Sequence, residues 1–195
     1  MKNKKNITGI ILSGGKSARM GTDKGFLLLN EKPFIQYSID ALKPLVSEII
    51  IVSDNPNYDS FGLKRVTDIT KNAGPVAGIC SGLEASSTKY NLVLSCDIPL
   101  INTEILKNLI NAIDDTSEII QVESKGKTMP LIALYKKQVK DTFNNLLKEN
   151  ERRLRIAIKT CNSKSIVLKN EHEVFLSILN FLSKNKDFQL SYSAE

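Results

Sequence analysis

Lys16, Arg19 and Lys24 surround a turn that opens Leu12-Ser13-Gly14-Gly15. Cations gathered on a glycine-rich loop are the means by which proteins bind phosphate. Gly14 and Gly15 have no Cβ, so the amides of this turn can approach an anion closely, and Ser13 adds a hydroxyl. Arg19 can fork onto phosphate oxygens, whereas Lys24 is a movable point charge able to follow charge that develops during a reaction. A second candidate is Asp97 in SCDIPLI. A carboxylate there, facing a phosphate loop, could hold Mg²⁺, which prefers oxygen ligands and bridges to phosphates; the lesser alternative is a cap on a helix beginning near Thr103.

These residues need a scaffold, and the pattern along the chain supplies one. Ile7 to Leu12 is an apolar, β-branched run suited to a strand buried on both faces of a parallel sheet, and the glycine turn follows it directly. A helix-period stretch runs from Phe34 to Leu42 and ends near Pro44, and Glu48 to Val52 reads as a second strand. Lys64 to Val66 is a weaker third strand leading to Asp68, and Pro75 at the first position of a helix follows Gly74 and carries that helix toward Ser86. Asn91 to Ser95 is a further strand delivering Asp97 to its carboxyl end, where open α/β sheets place their ligands. This alternation predicts an α/β fold with a mostly parallel sheet and helices on both faces.

Composition narrows the class further. At 195 residues the chain is expected to form a single domain, 1–195, with tails over 1–6 and from about 184 onward. Lys and Arg number 27 against 21 Asp and Glu, a net charge of +6 that would help capture an anionic substrate. No run of basic residues is interleaved with aromatics, which argues against a nucleic-acid partner. No window approaches the apolar length of a membrane span, and the first residues lack the core of a signal peptide, so a cytoplasmic location and no membrane association are expected. Cys80, Cys96 and Cys161 are widely spaced without a CxxC pair, which predicts buried thiols and neither a disulfide framework nor a zinc site. His172 is the only histidine, which disfavours histidine-base and multi-histidine metal chemistry.

Two familiar phosphate motifs are absent. Gly21 is followed by Thr22 and Asp23, where a P-loop requires Lys and then Ser or Thr, and no GxGxxG occurs. The segment that stands in their place, LSGGKSARMGTDK over Leu12 to Lys24, resembles the signature L-x-G-G-x-S-x-R-M-G-x-D-K of the molybdenum cofactor guanylyltransferases. SCDIPLI resembles that family's C-D-x-P segment, and TDITKNAGPVAGI resembles its D-x-x-x-x-x-G-P-x-A-G stretch. MPLIALY resembles P-L-x-A-L-Y, and Glu151-Arg152-Arg153-Leu154 repeats its E-R-R-L helix pattern. ILNFLSKN keeps one asparagine, Asn180, of F-x-N-x-N-T-P and has Leu182 at the second.

The resemblance implies a three-layer, Rossmann-like nucleotidyltransferase fold of the GT-A type. It implies transfer of GMP from GTP to molybdenum-molybdopterin, with Mg²⁺ as cofactor and molybdoenzymes or delivery proteins as onward partners. It places Leu12, Ser13, Gly14, Gly15, Lys24, Asp68 and Asp97 at the nucleotide, with Asp97 on the metal and Lys24 and Arg19 as catalytic cations. Asp68 would accept from the guanine N1 and N2 donors; read without the resemblance, its segment is as well explained by a loop and a proline-started helix. The arginine pair could grip the pterin phosphate or lie in solvent. Cytidylyl or sugar-nucleotidylyl transfer, and a noncatalytic cofactor carrier, are the competing readings.

Overall fold

In the computed structural model, residues 6–14, 23–70 and 73–168 are described. Nine strands and five α-helices lie among them: β1 Ile7–Leu12, β2 Leu28–Leu29, β3 Lys32–Pro33, α1 Phe34–Leu42, β4 Glu48–Val52, β5 Lys64–Val66, α2 Pro75–Ala85, β6 Tyr90–Ser95, α3 Thr103–Asn111, β7 Ile119–Ser124, β8 Lys127–Lys136, α4 Val139–Lys148, α5 Leu154–Lys159 and β9 Ser163–Val167. The short β2 and β3 form an antiparallel ribbon, and the other strands form one sheet in the order β5-β4-β1-β6-β8-β7-β9.

β1 lies between β4 and β6, parallel to both, and all six of its residues are buried. Its largely apolar character follows from having no solvated face, and its one polar side chain, Thr8, is bonded to Glu48 and Thr88. β8 is antiparallel to β6 and β7, while β9 is again parallel to β7, so β8 alone runs against the rest of this sheet among the described residues. Helices cover both faces. Ile35, Ile39 and Leu42 of α1 and Ile105, Leu106 and Leu109 of α3 pack with Ile7, Ile11 and Leu92 on one side. Val76, Ile79 and Leu83 of α2 pack with α4 and α5 residues Phe143, Leu154 and Ala157 over Ile10, Ile50 and Val93 on the other. The three-layer architecture expected from the alternating pattern is therefore present.

α2 lies very close on β1. A Cβ at Gly82 would stand 2.5 Å from Ile10 Cγ2, so only glycine allows this approach without displacing the strand's side chains.

The expected starts of α1 and α2 and the bounds of β4 and β5 coincide with those observed, while the third long strand starts one residue earlier, at Tyr90. The cap of α3 is Asn102, whose Oδ1 accepts from Ile105 N at 3.0 Å; Asp97 is not the capping residue. The E-R-R-L segment also differs from expectation. α5 begins at Leu154, so Arg152 and Arg153 precede the helix, and Arg153 instead folds back onto the Glu151 carboxylate with Nε donating at 2.9 Å. That ion pair holds Glu151 down at about 2.

Candidate active site

The carboxyl ends of β5, β4, β1 and β6 share one edge of the sheet, and the strand order reverses direction at β1, the position where doubly wound sheets leave a crevice. Hydrogen bonds beyond the strands hold this edge in place. Ser13 N donates to Val52 O at 2.9 Å, Cys96 N to Leu12 O at 3.0 Å and Ser53 N to Val66 O at 2.9 Å. The turn after β1 and the turn after β6 are thus tied to each other through the sheet.

Ser13 is buried and Gly14 is exposed, and among the described residues no atom beyond its chain neighbours lies within 4 Å of where a Cβ on Gly14 would stand. Gly15, Lys16 and Arg19 lie outside the described residues. The chain is described again at Asp23, which caps a 3-10 turn over Lys24–Phe26. Lys24 Nζ reaches Asp97 Oδ2 at 3.5 Å, with both side chains substantially exposed. Ser95 Oγ donates to Asp97 Oδ1 at 2.5 Å, which fixes that carboxylate at the end of β6. One carboxylate, fixed on one side and open on the other, suits a hard cation that keeps most of its waters and bridges to phosphate. No cluster of three or more His, Cys, Asp or Glu side chains with metal-binding geometry occurs among the described residues.

Asp68 occupies a different environment. Its Oδ1 is buried without a hydrogen-bond partner among the described residues. A point one Cβ above Gly78 of α2 is 3.4 Å from both Asp68 Oδ1 and Leu12 Cδ2, which places the carboxylate on the same face of that helix as the end of β1 and close to it. Burial, reinforced by the negative charge of Asp54, raises its pKa to about 6. An unpaired buried acceptor is costly, and a ligand bearing N–H donors would relieve it. Nearby, Gly74 caps α2 at φ 73 and ψ −163, a backbone conformation that essentially only glycine adopts, and Pro75 follows at the first helical position.

β8 extends beyond the end of β6. Their pairing stops at Leu94–Ile132, so Lys127 to Leu131 project past the edge that carries Asp97. The β7–β8 register shifts between Gln121 and Val122, opposite the stretch containing Pro130, which has no N–H to donate. The overhanging strand walls a cavity of about 520 Å³, whose lining includes Ile98, Met129, Pro130, Leu131, Leu154 and Ile156.

The structure thus brings Leu12, Ser13, Gly14, Lys24 and Asp97 to one edge beside β1, with Asp68 near Leu12 against Gly78 of α2. The sequence reading does not single out Asp23, which accepts from Gly25 N at 3.1 Å, from Tyr58 Oη at 2.5 Å and from Asn55 Nδ2 at 3.0 Å. Its signal was its place immediately before Lys24; its side-chain partners Asn55 and Tyr58 lie more than thirty positions away. All three cysteines are buried free thiols, as expected. Burial pushes the thiols of Cys80 and Cys96 up to about 12, which makes them poor nucleophiles. No helix among the described residues is long and apolar enough to cross a membrane. His172, Asn180 and Leu182 lie outside the described residues.

Fold and site together define a nucleotide-handling α/β protein with a cation and a carboxylate facing each other over a glycine turn. The profile of the MobA-like NTP transferase domain matches residues 9–164. A protein of Flavobacterium johnsoniae named "Probable molybdenum cofactor guanylyltransferase" is 32% identical over 187 residues, covering 96% of this chain and 98% of that protein. One of the same name from Clostridium perfringens is 42% identical over 153 residues, covering 77% and 75%. Among solved structures, molybdopterin-guanine dinucleotide biosynthesis protein A of Archaeoglobus fulgidus aligns with a TM-score of 0.70 at 18% identity, covering 89% of this chain and 90% of its own, which shows a shared fold. The chain belongs to the MobA-like NTP transferase family.

Proposed function

We propose that this protein transfers GMP from GTP to molybdenum-molybdopterin, giving the molybdopterin guanine dinucleotide and pyrophosphate. The observation that carries the reading is the approach of Lys24 to Asp97 at 3.5 Å at the edge where β1 and β6 end, in a chain whose relatives carry the guanylyltransferase name. Leu12, Ser13, Gly14 and Gly15 present backbone to the nucleoside and phosphates. The orphaned carboxylate oxygen of Asp68 accepts from the N1 and N2 donors of guanine, a pairing that the edges of adenine and cytosine do not offer.

The acceptor phosphate attacks the α-phosphorus in line and pyrophosphate leaves. A phosphate nucleophile needs no general base, so the protein's task is positioning and charge stabilisation. Lys24 and Arg19 neutralise charge on the phosphoryl oxygens as the transition state forms. Asp97, fixed by Ser95, is the residue that would hold Mg²⁺, and the ion would supply further neutralisation along the phosphate chain. The cavity walled by the overhang of β8 is large enough for a drug-sized organic molecule and is lined in part by Ile98, the residue after Asp97, which favours it as the seat of the pterin.

Pyrophosphate release from GTP, CTP, ATP and UTP, each with and without molybdenum-loaded molybdopterin, tests the reading. Release confined to GTP with the pterin is expected. Turnover of another nucleotide would transfer the same geometry to a cytidylyl or sugar-nucleotidylyl reaction, and binding of GTP and pterin without turnover would indicate a carrier.

A further inference from the structure

Asp23 is a carboxylate directly beside Lys24, yet its hydrogen bonds all serve the loop that carries the lysine. Oδ1 accepts from Gly25 N and Tyr58 Oη, and Oδ2 accepts from Asn55 Nδ2. Tyr58 is fully buried, and burial, with Cys96 and Asp23 nearby, pushes its hydroxyl so far up that it remains a donor at any physiological pH. The ring of Tyr58 lies 4.6 Å from that of Phe26 and 6.2 Å from that of Phe61. Space around the hydroxyl is tight, since a Cβ on Gly25 would fall 2.1 Å from Tyr58 Oη.

The segment that carries Tyr58 is itself held from within. It is a 3-10 helix over Pro56–Phe61, capped by Asn55, whose Oδ1 accepts from Asn57 N at 3.0 Å. The Ser53 hydroxyl accepts from Asn55 N at 3.2 Å at the end of β4. A continuous path of hydrogen bonds therefore runs from the sheet through Asn55 and Tyr58 to Asp23 and the turn bearing Lys24. A lysine side chain has four rotatable bonds and gives up roughly 2 kcal/mol of rotamer freedom when fixed, so the direction in which its backbone launches it matters.

We infer that Tyr58, acting through Asp23, is a positioning residue that sets the direction from which Lys24 meets the phosphates and Asp97. The inference rests on the proposed role of Lys24 in charge neutralisation.

The test combines Tyr58→Phe, which keeps the ring and removes only the hydroxyl, with Lys24→Ala. Tyr58→Phe is expected to lower kcat for GMP transfer by about 10- to 100-fold, the scale of a misplacement near 1 Å, with KM for GTP changed by less than about twofold. In the Lys24→Ala background the same substitution should lower kcat no further. Asn55→Ala, which removes the other side-chain donor to Asp23, should act in the same direction. Phe61→Leu, which loosens the aromatic cluster without touching Asp23, should lower Tm and leave kcat unchanged. A kcat unaffected by Tyr58→Phe, or a loss of equal size with and without Lys24, would overturn the inference. Should wild-type protein fail to turn over GTP, the proposed function falls, and positioning is decided separately by the ¹³C resonance of reductively methylated Lys24. A shift of that resonance toward the free-lysine position in Tyr58→Phe supports the inference, and an unchanged resonance refutes it.

Discussion

Lys24 and Asp97 stand 73 positions apart in the chain and meet at 3.5 Å across the carboxyl edge of the sheet, Lys24 on the turn that follows the glycine loop and Asp97 at the end of β6. Exposed pairs of this kind contribute less than about 1 kcal/mol to stability. Their juxtaposition fits the proposed site, with Lys24 on the phosphates and Asp97 on a cation bound to them, better than a need of the fold.

Lys24→Ala should accordingly cost catalysis and little else. Loss of one preorganised charge at a phosphoryl centre typically lowers kcat by ~10²–10³-fold. GTP affinity, measured by calorimetry, should fall much less than kcat. Equal losses in both would show that Lys24 binds the ground state and the transition state alike.

Asp97→Asn keeps the shape of the side chain and its contact with Ser95 but removes the charge. The Mg²⁺ concentration for half-maximal activity should rise at least about tenfold, with unfolding free energy changed by less than about 1 kcal/mol. Titration of activity against Mg²⁺, and of Mn²⁺ binding by electron paramagnetic resonance with GTP present, checks both parts.

Asp68 gives opposite signs in stability and in binding. Its pKa is about 6 in the folded protein, above the 3.8 of a free aspartate, so the native state holds the extra proton between those values. Stability from this group is full below about pH 4 and is lost as pH rises to 6, beyond which a half-buried, unpaired charge remains. Asp68→Asn should therefore raise Tm more at pH 7.5 than at pH 4.5. Guanine recognition needs the ionised form, so GTP affinity of the wild type should weaken as pH falls through 6, and Asp68→Asn should flatten that dependence. A GTP affinity independent of pH between 5 and 7 would remove Asp68 from the base site.

Gly82→Ala tests the packing of α2 on β1. Alanine gains about 1 kcal/mol in helix propensity over glycine, but the new methyl would meet Ile10 Cγ2 at 2.5 Å in a fully buried site, and overpacking of this kind costs about 1–3 kcal/mol. The net effect expected is a lower urea midpoint with KM for GTP unchanged.

The parts of this architecture that were legible in the sequence are those set by local chemistry. β1 and β4 are apolar runs broken by glycine or by polar residues, and α2 is announced by Gly74-Pro75, so their bounds follow from turn and helix-start signals. Lys24 and Asp97 follow from residue type at the ends of strands. What was not legible depends on contacts between distant residues. Nothing within Lys127–Lys136 itself declares that it runs against its neighbours or overhangs β6: its direction is set by the two-residue turn Lys125-Gly126, both residues at positive φ, that folds it back on β7, and its overhang by where its pairing with β6 stops. The E-R-R-L segment contains good helix formers, yet Glu151 holds Arg153 in an extended conformation and α5 starts one residue later. Asp23 reads as one more charge beside Lys24 until Tyr58, 35 positions on, is seen to hold it.

The central claim is the transfer of a guanylyl group, and the fate of labelled phosphate tests it most directly. Protein, Mg²⁺ and molybdenum-loaded molybdopterin would be incubated with GTP carrying ³²P at the α position and, separately, at the γ position. We predict α-label in the pterin product and γ-label in pyrophosphate. Label from the α position that remains in GTP, or that is released as free GMP or GDP with none on the pterin, would contradict it.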